Sequence, residues 1–285
     1  MTVSIEVVKP GALTTIQDLG RPGFAHLGVP RSGAADRSSL KLANRLVGNA
    51  EGTAALECTL IGPSLRFDEK ALIAITGAEI SARLDGEEVA LNSAVEVAAG
   101  ALLELATTST GLRSYVAVRG GIDADPVMGS RSSDLLSGLG PQPLKPGQSI
   151  TAGKPIGEVP AFGAAPVALP SEEPLLHAFA GPRADWFAAN ALELLVADSW
   201  EVSSDSNRSG VRLLGPELPR VRDDQLLSEG MAHGAIQVPA SGQPIILLAD
   251  HPTTGGYPVI AVVASADLDA AGQLRPGQKL RFAVS

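Results

Sequence analysis

The stretch Ala71-Leu-Ile-Ala-Ile-Thr76, followed by Ala82-Arg-Leu84, Asp85-Gly86 and Glu87-Glu-Val89, decides the fold class. The first piece is a short apolar run with the β-branched enrichment of a buried strand. Asp85-Gly86 between two strand-like runs predicts a hairpin, because both central turn residues must accept positive φ. Working outward, Ser114-Tyr-Val-Ala-Val118, Ile245-Ile-Leu-Leu-Ala249 and Val259-Ile-Ala-Val-Val263 repeat the buried-strand signature. The 31 glycines and 21 prolines are spread along the whole chain. Many short strands separated by turn formers predict a mainly β protein built from sandwiches or barrels, with a few short helices.

Two helices are expected. Asp36 to Val47 has capping groups from Ser32 to Asp36, an apolar face of Leu40, Ala43 and Val47, and Gly48 as its stop. A second runs from about Asp185 to Leu195. The Pro-, Ala- and Gly-rich stretch Glu158 to Pro174 lacks periodicity and reads as a linker. This divides the chain into a β-rich lobe over 1–165 and another over 166–285. An internal echo supports two lobes: Leu144-Lys-Pro-Gly-Gln-Ser-Ile150 resembles Leu274-Arg-Pro-Gly-Gln-Lys-Leu280, and Ser133-Asp-Leu135 matches Ala266-Asp-Leu268. Each lobe is expected to close with a Pro-Gly turn and a last strand.

Composition excludes several functions. Lys plus Arg is 22 against 31 Asp plus Glu, a net charge of −9. An acidic chain without Lys/Arg runs lacks the basic footprint of a nucleic-acid binder. No apolar run approaches the ~18 residues of a membrane helix. The N-terminal residues lack the basic-then-apolar pattern of a signal peptide, so a cytoplasmic protein is expected. Cys58, the single cysteine, sits in an apolar strand-like stretch and reads as a buried small hydrophobe. The chain has no phosphate loop, no G-x-G-x-x-G and no G-x-S-x-G elbow. His26, His177, His233 and His251 show no metal-ligand spacing, so no metal site is expected.

Four polar, Gly-rich segments remain. Thr14-Thr-Ile-Gln-Asp-Leu-Gly-Arg-Pro-Gly23 gathers hydroxyls, an amide, a carboxylate and a guanidinium, with Asp18 and Arg21 able to pair across a turn. Gly28-Val-Pro-Arg-Ser-Gly-Ala-Ala-Asp36 leads into a helix, where free backbone N–H groups can hold an anion or Ser32 and Asp36 can cap. Ser228-Glu-Gly-Met-Ala-His-Gly-Ala-Ile-Gln-Val-Pro239 offers an acid, a base and an amide. Asp250-His-Pro-Thr-Thr-Gly-Gly-Tyr-Pro258 follows a buried strand, a common place for a site.

Read with Asn44-Arg-Leu-Val-Gly-Asn49, Ala55-Leu-Glu-Cys-Thr-Leu60, Val118-Arg-Gly-Gly-Ile-Asp123, Gly129-Ser-Arg-Ser-Ser133, Ser206-Asn-Arg-Ser-Gly210 and Gly272-Gln-Leu-Arg-Pro-Gly277, these segments resemble one family over about residues 3–284. It is the biotin-dependent carboxyltransferase family, also called allophanate hydrolase subunit 2. The resemblance implies two cyclophilin-like β-barrel lobes. It also implies a heteromeric assembly with two further 5-oxoprolinase components, a kinase-inhibitor-like B component and an A component.

The activity implied is ATP-dependent opening of 5-oxo-L-proline to L-glutamate, with ATP used by the complex and no nucleotide site identified in this chain. Two alternatives are biotin-dependent carboxyl transfer to urea or a similar amide, and non-catalytic binding of a kinase-inhibitor homologue. Asp18, Asp36, Glu229 and Asp250 are the expected acids, bases or orienters. Gln17, Arg21, Thr253, Thr254 and the Gly255-Gly256 backbone are the expected donors to a developing oxyanion. Ser32, Gln237 and Tyr257 complete the expected substrate-binding set. Alanine at Asp250 is expected to abolish activity without disturbing the fold. The family often has Arg-Gln where this chain has His251-Pro252, which replaces a long cation and an amide.

Overall fold

In the strand ending at Val118, Val116 and Val118 enter one apolar core while Tyr115 and Ala117 enter another, and all four are fully buried. Burial on both faces is why this segment reads as a continuous apolar run rather than an alternating one. The computed structural model describes residues 2–161, 163–168, 170–222, 224 and 226–285.

By its contacts the chain forms two units: Met1–Arg21, Ser32–Asp134 and Gly138–Pro170 in the first, and Pro22–Arg31, Leu135–Ser137 and Ser171–Ser285 in the second. A single cut in sequence does not anticipate the two short segments that group with the second unit.

The first unit runs β1 (Ser4–Lys9), β2 (Leu13–Gln17), α1 (Arg37–Leu46), β3 (Ala55–Thr59), β4 (Ser64–Phe67), β5 (Ala71–Leu84), β6 (Glu87–Glu88), β7 (Ala94–Val97), β8 (Leu102–Val118), β9 (Ile122–Asp123) and β10 (Ser149–Ala152). Its ten strands form one antiparallel sheet in the order β2-β3-β8-β4-β1-β10-β9, with β5 on β8 and β6 and β7 on β5. β5 and β8 are long, and register shifts between Gly77 and Ala82 let them bend. Gly77 has φ 93°, and a Cβ there would lie 2.5 Å from the Arg113 carbonyl oxygen. Asp85 (φ 50°) and Gly86 (φ 89°) make the expected hairpin turn.

One core holds Ile5, Leu56, Cys58, Phe67, Ile73, Ile75 and Leu103. Burial pushes the Cys58 thiol up to about 12, as suits a packing residue. α1 packs Leu40, Ala43 and Val47 on Ala55, Ala74, Tyr115 and Ala117. Its start is capped by Asp36, which accepts from Ser39 N at 2.9 Å and Ser39 Oγ at 2.6 Å. Gly48 (φ 72°) turns the chain out at its end.

The second unit runs β11 (Leu175–Ala180), α2 (Ala191–Ala197), β12 (Trp200–Val202), β13 (Gly210–Leu214), β14 (Glu229–Gly230), β15 (Ala235–Gln237), β16 (Ile245–Leu247), β17 (Thr254–Gly255), β18 (Val259–Val263), α3 (Leu268–Gly272) and β19 (Lys279–Val284). β11-β18-β15-β16-β13-β12-β19 close into a barrel, completed by the parallel pairing of β11 with β19. Closure removes exposed sheet edges. β14 and β17 stand apart as a two-stranded ribbon.

Two expectations change. The helix expected over 185–195 is a 3-10 turn at Ala184–Trp186 followed by α2. Extended Phe187 breaks it, bridges Arg220 and is buried beside Trp186. The expected linker begins as packed chain: Arg119 Nη2 donates to the Gly157 carbonyl at 2.5 Å, and Ala94 and Ala165 N–H groups bond Gly163 and Asn92. Phe162 and Leu169 lie outside the described residues.

The internal echo has a geometric counterpart. Gln148 Oε1 accepts from Lys145 N and Gln278 Oε1 from Arg275 N, both at 3.1 Å. Gly147 N–H bonds the Val7 carbonyl and Gly277 N–H the Val202 carbonyl, both at 2.8 Å. In each unit a Pro-Gly turn leads into a strand antiparallel to an early one, β10 on β1 and β19 on β12.

Candidate active site

In the first unit the end of β2 delivers Gln17, Asp18 and Arg21 to the loop 127–134. Asp18 is 8% exposed and accepts four hydrogen bonds: from Gly20 N (2.7 Å), Ser130 Oγ (2.6 Å), Ser132 Oγ (2.5 Å) and Arg131 N (2.7 Å). Two hydroxyls and two amides satisfy one carboxylate, three of them from a segment more than 100 residues away. The geometry makes Asp18 the organiser of this loop.

The expected Asp18–Arg21 pair is absent. Arg21, 1% exposed, instead donates through Nε to the Val127 carbonyl (3.3 Å) and through Nη2 to the Ser132 carbonyl. Gln17 spends its NH2 group on Thr15 Oγ1 (3.0 Å) and the Ser133 carbonyl (2.9 Å). It therefore presents an acceptor, not the expected donor. Gln17 Oε1, Arg21 Nη1 and Ser133 Oγ are buried without a hydrogen-bond partner. Ser32 Oγ also donates to the Ser133 carbonyl, at 3.0 Å.

The segment before α1 does not offer the free N–H groups expected of an anion site. Ala34 N–H bonds the Asp18 carbonyl (2.9 Å), Ala35 N–H bonds Glu57 Oε2 (2.9 Å) and Asp36 N–H bonds Tyr115 Oη (2.8 Å). Tyr115 in turn donates to Glu57 Oε2 at 2.8 Å, and Arg113 lies 3.7 Å from Glu57 Oε1. Burial, then the negative charge of Glu57, pushes the Tyr115 phenol far up. Asp36 acts as a helix cap. Beside Asp18, a cleft of about 400 Å3 is lined by Thr53, Gly120, Asp123, Arg131 and Gly153 among others.

In the second unit Asp250 is fully buried against Arg208, itself 3% exposed. The pair is bidentate, Nε to Oδ2 at 2.9 Å and Nη2 to Oδ1 at 3.0 Å, and Leu135 N–H adds a bond of 3.3 Å. Removing one partner of such a pair strands a buried charge. The expectation that alanine at Asp250 spares the fold is therefore replaced.

The remaining expected residues gather on the ribbon. Glu229 stands opposite Gly255 and Gly230 opposite Thr254. Met231 N–H bonds the Thr253 carbonyl at 2.9 Å. Glu229 is held bidentately by Arg183, with Nε to Oε2 at 3.1 Å, and this cation holds the Glu229 carboxyl below its ordinary range. Gln237 Nε2 reaches Met231 Sδ (2.9 Å) and the Tyr257 carbonyl (3.3 Å). A Cβ on Gly255 would sit 2.7 Å from that nitrogen, so a side chain there would displace the end of the Gln237 amide. Thr254 and the Tyr257 ring are exposed, and Thr253 and Gly256 are partly so.

Arg208, Arg183, Glu57, Tyr115, Ser130 and Ser132 escape sequence reasoning as site residues. The signal for three of them is the hydroxyl- and arginine-rich segments 129–133 and 206–210, legible in the sequence only as parts of a resemblance. Among the described residues no three His, Cys, Asp or Glu side chains gather to hold a metal, and no helix is long and apolar enough to cross a membrane.

Residues 27–284 match the carboxyltransferase domain, subdomain A and B. The chain belongs to this family. The C subunit of the Escherichia coli 5-oxoprolinase is 39% identical over 282 residues, covering 98% of this chain and 90% of that protein. The urea amidolyase of Saccharomyces cerevisiae is 36% identical, but this chain spans only 16% of its length. Among solved structures, TTHA0988 superposes with a TM-score of 0.91 at 36% identity, covering 99% of this chain and 56% of that one. The K. lactis urea amidolyase gives 0.92 at 35%, with 18% of its chain covered.

Proposed function

We propose that the chain acts as the C subunit of a heteromeric, ATP-dependent 5-oxoprolinase that opens 5-oxo-L-proline to L-glutamate. The observation that carries this reading is the near full-length match to the C subunit of a 5-oxoprolinase, against a minor share of each urea amidolyase. The first unit adds chemical support. Gln17 Oε1 and Arg21 Nη1 are an acceptor and a donor, both free, anchored on the carbonyls of the adjacent Ser133 and Ser132. A lactam presents the complementary pair, an N–H and a C=O. Buried polar atoms left open in this way are costly unless something fills them.

In the second unit Thr253, Thr254 and the Gly255-Gly256 backbone are a separate candidate set of substrate-binding donors. Asp18 holds the loop 127–134, Asp36 caps α1, Asp250 is paired with Arg208, and Glu229 keeps its ribbon on Arg183. The helix start at Asp36 does not fit a triphosphate, since its N–H groups are already bound. In this reading ATP is held elsewhere in the assembly, with the A and B subunits as partners. The chain alone is expected to be inactive, and the complex is expected in the cytoplasm.

The test is glutamate release from 5-oxoproline and ATP by the chain copurified with its A and B homologues, against each single omission. Loss of activity on omitting this chain supports the reading. No activity from an intact assembly rejects it and favours carboxyl transfer from a biotin carrier, the arrangement suggested by the urea amidolyase relatives.

A further inference from the structure

Within the loop 127–134 one side chain does not serve Asp18. Ser130 and Ser132 give it their hydroxyls and Arg131 its N–H. The Arg131 side chain instead lines the cleft of about 400 Å3 beside Asp18. Among the described residues its guanidinium has neither a hydrogen bond nor an ion pair. The backbone that carries it is fixed: Ser133 N–H bonds the Ile16 carbonyl at 2.9 Å, and the Ser132 carbonyl accepts from Arg21. A half-buried guanidinium on a fixed backbone is a preorganised partner for a carboxylate.

The same cleft presents the opposite charge. Asp123, the last residue of β9, lines it, and its backbone is held by pairing with Thr151. Among the described residues the Asp123 carboxylate is likewise unpaired. The third carboxylate, Asp18, is already met by four donors. One wall is bare backbone. A Cβ on Gly120 would lie 2.1 Å from the Gly153 carbonyl oxygen, and one on Gly153 would lie 2.7 Å from the Gly120 carbonyl oxygen. Gly153 N–H bonds the Gly121 carbonyl at 2.8 Å, and Gly120 N–H bonds Asn49 Oδ1 at 2.8 Å. The cleft volume lies at the small end of the ~300–1,000 Å3 of ligand sites.

A plain anion in this cleft meets two carboxylates as well as Arg131, and a plain cation meets Arg131. A small molecule with both charges a few atoms apart satisfies each. We infer that the cleft binds an α-amino acid, its carboxylate on Arg131 and its ammonium on Asp123, and that the ligand is the glutamate the complex releases. This rests on the 5-oxoprolinase reading. Opening the lactam adds one water across the C–N bond as ATP is hydrolysed, so the amide N–H and C=O become an ammonium and a second carboxylate. The buried Gln17–Arg21 pair matches the neutral amide, but it offers an ammonium no anion and sets a guanidinium beside it. The cleft supplies both charges, and so distinguishes product from substrate by the charge that the reaction creates.

Calorimetric titration of the full chain tests the site, with L-glutamate and glutarate, which lacks the ammonium, as probes. L-Glutamate should bind at least ~10-fold more tightly than glutarate, about the worth of one charge-assisted hydrogen bond. Asp123→Asn should weaken L-glutamate at least ~10-fold and leave glutarate within about threefold. Arg131→Gln should weaken both. Arg131→Lys keeps the charge without the fork; it should lose part of the affinity, and it replaces Arg131→Gln if that variant does not fold. In the reconstituted complex L-glutamate should inhibit turnover, and Asp123→Asn should raise the inhibitory concentration at least ~10-fold. Absence of L-glutamate binding, equal binding of glutarate, or full affinity in the folded variants overturns the site. Binding that needs both residues while turnover ignores glutamate overturns the product assignment. If the wild-type complex releases no glutamate from 5-oxoproline, the functional reading fails and the titrations alone decide whether the cleft holds an α-amino acid.

Discussion

Asp18 in the first unit and Asp250 in the second are both buried carboxylates beside Gly-rich loops, yet they are satisfied by opposite means. Asp18 takes four neutral donors, two of them hydroxyls from Ser130 and Ser132. Asp250 takes a bidentate guanidinium and one amide. A carboxylate ringed by neutral dipoles can lose one partner and keep the rest. A buried ion pair that loses one member leaves a bare charge in low dielectric. The acids that stand out in this sequence thus act mainly as fasteners of loops, by two different electrostatic routes.

The largest expected effect breaks the second case. Asp250→Ala should destabilise the chain by about 3–5 kcal/mol, because the buried Arg208 guanidinium loses its carboxylate counter-charge. Urea unfolding reads this directly. Replacing both members, Arg208→Met with Asp250→Leu, should cost less than Asp250→Ala alone. A loss below about 1 kcal/mol for the single variant would show that the pair does not carry the loop.

Asp18→Ala should come next, at about 2–3 kcal/mol, since it orphans buried hydroxyl and amide donors but no charge. Asp18→Asn keeps one acceptor oxygen and should recover part of that. If Asp18→Ala proved costlier than Asp250→Ala, the distinction drawn between the two sites would be wrong.

The repeated closing turns differ in how far their glutamines reach. Gln148→Ala removes one side-chain bond of 3.1 Å from a turn amide, whereas Gln278→Ala removes the equivalent bond and two more, from Nε2 to the Ser171 and Glu172 carbonyls at 2.8 and 3.1 Å. Gln148→Ala should cost about 1 kcal/mol and Gln278→Ala more, read by urea unfolding. Equal losses would mean that the two additional bonds of Gln278 contribute nothing to stability.

The smallest effect lies next to Asp250. His251 is lowered by burial, so its native state holds fewer protons than the unfolded chain just below the ordinary imidazole value. Stability should therefore fall as pH drops from about 6.5 toward the lowered native value and level off below it. His251→Gln should flatten that segment of the stability–pH curve. A wild-type curve already flat there would remove His251 from the linkage.

Much of the site was legible as residue types but not as roles. Asp36 and Gly48 announce α1 because capping is local, reaching at most a turn away. Cys58 reads as buried from its apolar neighbours alone. By contrast, Gln17 looks like a free amide in sequence, and only the distant Ser133 carbonyl reveals that its donors are spent. The segment 32–36 looks like an anion loop until Glu57 and Tyr115 are seen to occupy its amides.

The sequence by itself therefore determined the mainly β architecture, the hairpin at Asp85-Gly86, the first helix and its caps, the paired Pro-Gly closing turns and the family. All of these follow from interactions within a few residues or from ordered local motifs. Only the tertiary structure decided that Arg208 meets Asp250, that Ser130 and Ser132 meet Asp18, and that His251 stacks on His233. Those partners lie 18 to 114 positions apart. No local pattern encodes such a pairing, because folding of the whole unit is what brings the two groups out of water and into each other's reach.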